Sequence, residues 1–227
     1  IESDDLPDSD LYYHLNHPHH WQDKLPEASL GQHKYHRGHM IVIGGEIEST
    51  GASKLAALAA LHAGSGLVSI ACNKQTLPVY AGWATAIMTK PYENERSLQQ
   101  IYQHPKVTAI CYGMGAGTHE RTRERTLALL KTQKPCLLDA DAISAFEGKL
   151  LELKNHLHTK VILTPHSKEF ERLCSGHIAA NENRLKQALD AAQLAGCIVV
   201  LKGNDTIIAA SDGRAAINYT ALPHLAT

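Results

Sequence analysis

The chain has 227 residues, of which 44% are hydrophobic and 5% aromatic, and its formal net charge is −1. This length suffices for one large α/β domain with a sizeable core. The near-neutral charge does not suggest a nucleic-acid surface, and no apolar run approaches the roughly 18 residues that a membrane-spanning helix needs. We therefore expect a soluble protein without nucleic-acid or membrane partners, and no signal peptide is visible.

The cysteines favour a reducing compartment. Four of the five lie in or beside apolar runs: Cys72, Cys111, Cys136 and Cys197. None of the spacings is Cys-x-x-Cys, so we interpret these residues as small buried hydrophobes in a cytoplasmic protein. Disulfides and a zinc site remain alternatives, although the spacings fit neither.

Residues 1–32 are acidic at first, then rich in histidine and interrupted by prolines, and they show little periodicity. This pattern predicts an extended linker or interdomain arm. The histidine cluster is typical either of solvated polar chain or of a metal site. Its members are His14, His17, His19 and His20. Because the chain begins with Ile1, we expect it to be a piece of a longer polypeptide.

Regular structure is predicted from about residue 39 onward. Residues 40–43 form an apolar strand, Gly44-Gly45 ends it, and a helix follows over residues 51–63, capped by Ser49 or Thr50. Residues 67–72 are the next strand, so we expect a parallel, right-handed βαβ unit. The helix starts beside the Gly44-Gly45 loop, and its free amides and dipole suit an anion or another ligand.

The second glycine-rich loop follows the next strand. A short strand at residues 86–88 and a buried strand at 107–112 are predicted, and Gly113-Met114-Gly115-Ala116-Gly117 comes directly after them. Thr118 is expected to cap a helix that runs to Leu130. The alternating glycines either let a ligand approach the backbone or only form a tight turn. Their spacing is not the dinucleotide fingerprint.

Polar residues follow the next two predicted strands. The strand at residues 135–138 ends in Asp139-Ala140-Asp141, where the carboxylates could serve a metal or acid–base chemistry, or Asp139 could cap a helix. The strand at residues 161–163 leads to His166 and a short helix. A histidine at this point is either part of a site or simply packed or solvated.

The last predicted strand leads into a loop suited to phosphate. A helix over residues 182–195 precedes the apolar strand at 198–201, which is followed by Lys202, Gly203 and Thr206. Ligands bind beyond the carboxyl ends of strands in open α/β sheets, and this end offers an ammonium group, a flexible backbone and a hydroxyl. The alternative is a solvated lysine followed by a turn. Residues 206–210 and 215–219 are predicted to form an antiparallel hairpin.

Placed in series, these loops resemble those of the carbohydrate-kinase-like domain of the NAD(P)H-hydrate dehydratases, within the ribokinase-like superfamily. The resemblance covers residues 33–227, and the order and spacing of its segments are specific. The segments are His33-Lys34, Val42-Ile43-Gly44-Gly45, Thr50-Gly51-Ala52, Ala63-Gly64-Ser65-Gly66-Leu67-Val68, Gly113-Met114-Gly115-Ala116-Gly117, Leu138-Asp139-Ala140-Asp141-Ala142, Leu163-Thr164-Pro165-His166 with Glu169, and Leu201-Lys202-Gly203 with Thr206.

The resemblance implies a three-layer α/β sandwich with a mainly parallel central sheet and an antiparallel hairpin near the C-terminus. It also implies an activity, namely nucleotide-dependent dehydration of (S)-NAD(P)H-hydrate to NAD(P)H, in which ADP gives AMP and phosphate with Mg²⁺. The residues that match the family's dinucleotide contacts are Ala52, Gly115, Gly117 and His166. The match to its adenine-nucleotide loop is Lys202, Gly203, Asn204, Asp205 and Thr206. Glu169 stands where the superfamily organises magnesium.

The chain departs from the family pattern at three points. Met114 and Ala116 vary the glycine-rich loop without filling its glycine positions. Tyr35 stands where glycine usually follows His-Lys, which we expect to alter the entry loop alone. The family also continues into a Gly-x-Gly-Asp turn that carries the expected catalytic aspartate, whereas this sequence ends at Thr227, before that turn. We therefore expect the dehydratase domain over residues 33–227 to be incomplete, and these 227 residues alone to lack dehydratase activity.

Two other readings stay open. The first is a kinase of the same fold that phosphorylates a small molecule, although Thr164-Pro165-His166 stands where those kinases more often have asparagine. The second is a nucleotide-binding module without catalysis. The resemblance further implies a fused NAD(P)H-hydrate epimerase domain and a homo-oligomer as partners.

Overall fold

A computed structural model describes residues 13–25 and 33–219 of the chain. The strands, in chain order, are β1 (Tyr13–Leu15), β2 (His39–Ile43), β3 (Leu67–Asn73), β4 (Met88–Tyr92), β5 (Ala109–Tyr112), β6 (Cys136–Leu138), β7 (Val161–Leu163), β8 (Ile198–Leu201), β9 (Thr206–Ala209) and β10 (Ala215–Asn218). The α-helices are α1 (Thr50–His62), α2 (Leu77–Ala81), α3 (Glu95–Gln103), α4 (Glu120–Leu130), α5 (Asp141–Ser144), α6 (Leu150–Lys154), α7 (Ser167–Cys174) and α8 (Arg184–Ala195).

The chain divides into two compact units. The central unit is Ala28–Ala145, and the terminal unit combines Ile1–Glu27 with Phe146–Thr227. Helices and strands alternate along both, as the sequence predicts for an α/β protein.

The strands of the central unit follow the order β6-β5-β2-β3-β4 and are all parallel. Val42 of β2 is paired with Ile70 on one side and Cys111 on the other. These three side chains form a core with Ala57 of α1. Ile41 and Ile43 point to the opposite face and are also fully buried. The central strands of this sheet are therefore covered on both faces, which explains their uninterrupted apolar sequences.

The strands of the terminal unit follow the order β1-β10-β9-β8-β7. β7 and β8 are parallel, whereas β9 is antiparallel to both β8 and β10. The predicted hairpin is confirmed, and each of its strands is one residue shorter than expected. Helix α8 packs on β8 and β9, and its buried residues include Ala188, Ala192 and Ala195.

Part of the predicted arm is a strand. β1 lies parallel to β10, with His14 opposite Ala216, and the Asn16 amide donates to the Ile217 carbonyl at 2.8 Å. This strand of only three residues forms because the edge of β10 supplies the partner groups.

Several element boundaries differ from those predicted. The strand expected at residues 86–88 is β4, at Met88–Tyr92, and α3 was not predicted. Asn94 begins α3 through a capping box with Ser97. Thr118 is not a helix cap, since α4 starts at Glu120 after His119. The later helix starts at Arg184, because the Asn183 side chain accepts the Lys186 amide at 2.8 Å.

All five cysteines are buried and free, and burial is what the sequence predicts for Cys72, Cys111, Cys136 and Cys197. Burial raises the pKa of Cys72 to about 11 and that of Cys111 to about 12, so these thiols stay protonated near neutral pH. None of the helices within residues 13–25 and 33–219 has the length and apolar character needed to span a bilayer.

Candidate functional site

The first glycine loop of the central unit joins β2 to α1. The Gly45 amide donates to the buried Ser53 hydroxyl at 3.1 Å. A Cβ on Gly45 would lie 2.7 Å from the Met114 carbonyl oxygen and 2.9 Å from that of Gly115. The loop after β2 therefore packs backbone to backbone against the loop after β5, and a larger residue at position 45 would separate them.

The second glycine loop follows β5 and has positive φ angles at all three glycines, +130° at Gly113, +67° at Gly115 and +73° at Gly117. A Cβ on Gly113 would lie 1.8 Å from the Asp139 carbonyl oxygen. The Gly115 carbonyl accepts the Glu46 amide at 2.9 Å. These glycines are therefore required by the turn itself, whatever ligand the loop binds.

Of the two aspartates after β6, Asp141 serves the glycine loop directly. Its Oδ2 accepts the Gly117 amide at 2.8 Å. Neither aspartate caps α5, because the residue before the helix is Ala140, at φ 48°. A positive φ at a residue other than glycine is strained, and the surrounding contacts must hold it in place.

The predicted dinucleotide residues of this unit lie around the start of α1. Ala52 is exposed in the first turn, and a Cβ on Gly115 would meet the Ser49 Cβ at 2.3 Å. Ser49 occupies the cap position, but its side chain makes no capping hydrogen bond. The first amides of α1 thus lack a side-chain cap, which suits a negatively charged group on a ligand. The structure places Gly115 against Ser49, three residues before Ala52, whereas the Gly117 amide is already bonded to Asp141.

In the terminal unit, His166 caps α7. Its Nδ1 accepts the amides of Lys168 at 3.1 Å and Glu169 at 3.4 Å. Glu169 reciprocates, because its Oε2 accepts the His166 amide at 2.8 Å. The side chain of His166 is half-exposed, whereas that of Glu169 is buried. The imidazole is therefore held in one orientation with part of its ring open to a ligand.

The predicted nucleotide loop at residues 202–206 lies beside His166. The Lys202 amide donates to the Pro165 carbonyl at 2.9 Å, and Lys202 forms a parallel bridge with His166. The Thr206 hydroxyl donates to the Gly203 carbonyl at 3.2 Å. Gly203 and Asn204 are exposed. The loops after β7 and β8 thus lie side by side, as expected for the carboxyl ends of adjacent parallel strands.

Arg184 holds this loop, and its role was not predicted from the sequence. Its guanidinium donates to the carbonyls of Lys202 at 3.2 Å and Asp205 at 3.4 Å, and to the Ser167 hydroxyl at 2.8 Å. The sequence does carry one signal. A cation in the first turn of a helix opposes the helix dipole, so an arginine at the first position of α8 indicates a local task.

The fit of Glu169 to Mg²⁺ can be judged from its partners. Oε2 accepts the His166 amide, and Oε1 lies 3.4 Å from His166 Nε2. Magnesium keeps most of its waters and binds one or two carboxylates together with substrate phosphates. Each oxygen keeps a further acceptor site, but the side chain is buried, so Glu169 suits a contact with the ion through water better than direct coordination. Within the described part of the chain, no group of three or more His, Cys, Asp or Glu side chains is arranged to hold a metal ion.

The family model for NAD(P)H-hydrate dehydratase matches residues 40–227, which is most of the chain. The chain belongs to the NAD(P)H-hydrate dehydratase family. This dehydratase-family chain is 34% identical over 217 residues to a bifunctional NAD(P)H-hydrate repair enzyme of Moorella thermoacetica. The match covers 91% of the chain and 41% of that enzyme, so the chain spans about two fifths of the length of this relative.

Two solved structures confirm the predicted ribokinase-like fold of the dehydratase-family chain. A ribokinase-like superfamily protein of Enterococcus faecalis superposes with a TM-score of 0.80 at 21% identity, over 96% of this chain and 77% of that one. The ADP/ATP-dependent NAD(P)H-hydrate dehydratase of Bacillus subtilis, co-crystallised with ATP and Mg²⁺, gives 0.76 at 25% identity, over 96% and 76%.

Proposed function

We propose that the protein carrying this sequence dehydrates (S)-NAD(P)H-hydrate to NAD(P)H while converting ADP to AMP and phosphate. The proposal rests on the family of the chain and on one observation of its structure. The loop at the carboxyl end of β8 is fixed beside His166, the cap of α7, by the hydrogen bond from the Lys202 amide to the Pro165 carbonyl. That arrangement supports a nucleotide phosphate and a second ligand at neighbouring positions.

The proposed chemistry has two steps, a phosphoryl transfer and an elimination. The terminal phosphoryl group of ADP passes to the ring hydroxyl of the hydrate, which releases AMP. The hydroxyl gives up its proton in this transfer. The bond between the ring carbon and that oxygen then breaks, the phosphate leaves with the oxygen and the electron pair, and loss of a proton from the neighbouring ring carbon restores the double bond of NAD(P)H. Such transfer asks the protein mainly for positioning and for neutralisation of charge. We assign the nucleotide to residues 202–206, where Lys202 supplies positive charge for the phosphates.

We assign the hydrated dinucleotide to Ala52, Gly115, Gly117 and His166. The uncapped start of α1 supports a phosphate near Ala52 and Gly115, and the half-exposed ring of His166 offers a flat polar contact. Mg²⁺, when bound, neutralises the transferring phosphates, and the nucleotide itself would carry it. Glu169 is buried and accepts the His166 amide, so we assign it a contact with the ion through water.

We also propose that residues 33–227 are the dehydratase domain of a cytoplasmic protein that forms homo-oligomers, and that residues 1–32 are the arm before it. The bifunctional name of the Moorella relative supports a fused epimerase domain as a partner.

Turnover tests this proposal with the natural gene product that carries the sequence. Hydrated NADH and NADPH are each incubated with ADP and Mg²⁺, and reduced cofactor, AMP and phosphate are measured. We expect the three products in equal amounts. A stable phospho-ester would instead identify a kinase, and unchanged ADP would reject both enzyme readings.

A matched pair of variants places the nucleotide. Lys202→Ala should weaken ADP binding about tenfold or more, because a charge-assisted contact to phosphate is lost. Lys160→Ala, at an exposed lysine after α6, should leave binding unchanged. Calorimetry on the 227-residue chain measures both, and equal ADP affinities for the two variants would remove Lys202 from the site.

A further inference from the structure

A cleft lies at the amino ends of the strands of the central sheet, and the proposed function makes no use of it. It encloses about 530 Å³, a volume in the range of small-molecule sites. His39, Leu67 and Met88, the first residues of β2, β3 and β4, line it. The glycine loops follow the other ends of β2 and β5. The length of β3 therefore places the cleft about 20 Å from the glycine loops.

The cleft is strongly basic. Lys34, Lys90 and Lys106 line it together with His39 and His104, and no acidic side chain does so among the described residues. Within residues 13–25 and 33–219, none of the three lysines has a carboxylate partner within ion-pair distance. Elsewhere on the surface, Lys74 pairs with Glu93 and Lys186 with Asp190. Three unpaired ammonium groups at one cavity favour an anionic ligand.

An aromatic ring stands between two of these cations. The Tyr35 ring centroid is 4.9 Å from Lys106 Nζ and 5.7 Å from Lys34 Nζ, and Tyr35 is 51% exposed. The floor is apolar and includes the buried side chains of Ile41 and Val107. A flat ring on the ligand can therefore lie against apolar and aromatic surface while its charge faces the lysines.

The walls of the cleft are fixed by hydrogen bonds and close packing. Lys34 and Tyr35 belong to a 3-10 helix at Lys34–Arg37 that packs on Gly66, where an added Cβ would lie 1.7 Å from the Lys34 carbonyl oxygen. On the other side, Lys134 Nζ donates to the carbonyls of Tyr102 and His104, each at 2.8 Å. The cleft is thus largely preformed, which lowers the entropic cost of binding.

His104 adds a hydrogen-bond donor to the cleft. Its Nδ1 accepts the Lys106 amide at 3.2 Å, so the neutral ring carries its proton on Nε2. His39 is buried and bonded to the Ser69 hydroxyl at 2.8 Å. Burial, followed by the nearby Lys90 and His104, lowers the pKa of His39.

We propose that this cleft binds a phosphorylated aromatic small molecule of about mononucleotide size. Its phosphate lies among Lys34, Lys90 and Lys106, and its ring lies against Tyr35 and the apolar floor. Tyr35 is also a residue at which this chain departs from the family pattern, which usually has glycine at that position. Binding here is independent of the Lys202 loop, so it can succeed or fail separately from the proposed function.

Pyridoxal 5′-phosphate is a suitable probe, because it is flat and phosphorylated and its aldehyde forms an imine with a nearby lysine. The imine is reduced with borohydride, and labelled lysines are mapped by peptide mass spectrometry. We expect saturable labelling of at least one of the three cleft lysines, with half-saturation about tenfold below that of the exposed Lys131 and Lys149. The same labelling should persist in Lys202→Ala.

Uridine monophosphate, which lacks the aldehyde, should suppress labelling in the cleft but not at Lys131. Labelling of the cleft lysines in parallel with Lys131 and Lys149, without saturation, would overturn the proposal. This first arm uses the unaltered chain, so it does not depend on how any variant folds.

The Tyr35→Gly variant tests the ring contact while all three lysines remain. We expect its half-saturation to rise between about twofold and tenfold, in line with the loss of an aromatic contact. Tyr219→Gly is the matched control, since Tyr219 is 49% exposed and lies in the terminal unit. Thermal denaturation of both variants verifies folding, and an unchanged half-saturation in folded Tyr35→Gly rejects the ring contact.

Discussion

Arg184 shows how one side chain can set the shape of a ligand loop. Its guanidinium contacts the carbonyls of Lys202 and Asp205, and a Cβ on Gly203 would lie 2.5 Å from one of its nitrogens. The loop is therefore built around a rigid cation that touches its backbone. A side chain at position 203 would displace this guanidinium from its place against the loop.

Replacing Arg184 with alanine should loosen this loop. Two carbonyls lose a charged donor, so we expect ADP to bind about tenfold more weakly, as calorimetry would show. Arg172→Ala removes an exposed arginine of α7 and should leave the affinity unchanged. Equal affinities in the two variants would show that the loop keeps its shape without Arg184.

Gly113 tests the packing of the second glycine loop. Gly113→Ala should lower the free energy of unfolding by at least about 2 kcal/mol, because φ is +130° and the new methyl group overlaps the Asp139 carbonyl. Gly51→Ala is the control, since nothing lies within 4 Å of its added Cβ and alanine favours the helix. Urea denaturation compares them, and equal midpoints would contradict the close approach at Gly113.

His39 should make stability depend on pH. Burial and the nearby Lys90 and His104 lower its pKa from the ordinary value of 6.5. The unfolded chain then takes up a proton that the folded chain resists, so the free energy of unfolding falls as the pH drops from 6.5 toward the folded pKa. His39→Gln should flatten this slope in denaturation at several pH values. Some slope remains, because the pKa values of His20 and His158 are also lowered. An unchanged slope would count against the lowered pKa of His39.

At the scale of elements, β1 covers the edge strand β10. An uncovered edge exposes amide and carbonyl groups to solvent. Deleting residues 1–16 should therefore speed hydrogen exchange at the β10 amides, while β2 and β3 of the central unit keep their protection. Mass spectrometry of the exchanged peptides measures both. Unchanged protection of β10 would mean that β1 does not pair with it in solution.

At the scale of the whole molecule, ligand binding should show as added stability. ADP at about one hundred times its dissociation constant should stabilise the folded chain by about 2.7 kcal/mol. We expect a higher denaturation temperature with ADP and Mg²⁺ for the unaltered chain, and a much smaller shift for Lys202→Ala. A chain that shows no shift at millimolar ADP would not contain the proposed nucleotide site.

Much of the secondary structure could be predicted from short segments of the sequence. The apolar runs at residues 40–43, 161–163 and 198–201 gave strands near the expected bounds, because short β-branched runs between turn residues have few other structures open to them. The glycine loop after β5 was also predictable, since the positive φ angles of Gly113, Gly115 and Gly117 favour glycine at such turns. The order of these segments was enough to identify the family. The family model that matches residues 40–227 confirms it.

Other features depend on residues far apart in the chain. Three residues of the arm become β1 only because β10, about two hundred positions later, offers its edge. Arg184 reaches Lys202, and Asp141 reaches Gly117, through the packing of separate elements. The basic cleft gathers Lys34, Lys90 and Lys106 from three segments. Periodicity and local propensity act over a few residues, so most elements and the family could be predicted from the sequence, whereas β1 and α3 could not. Long-range packing alone decided which side chains face one another at each site.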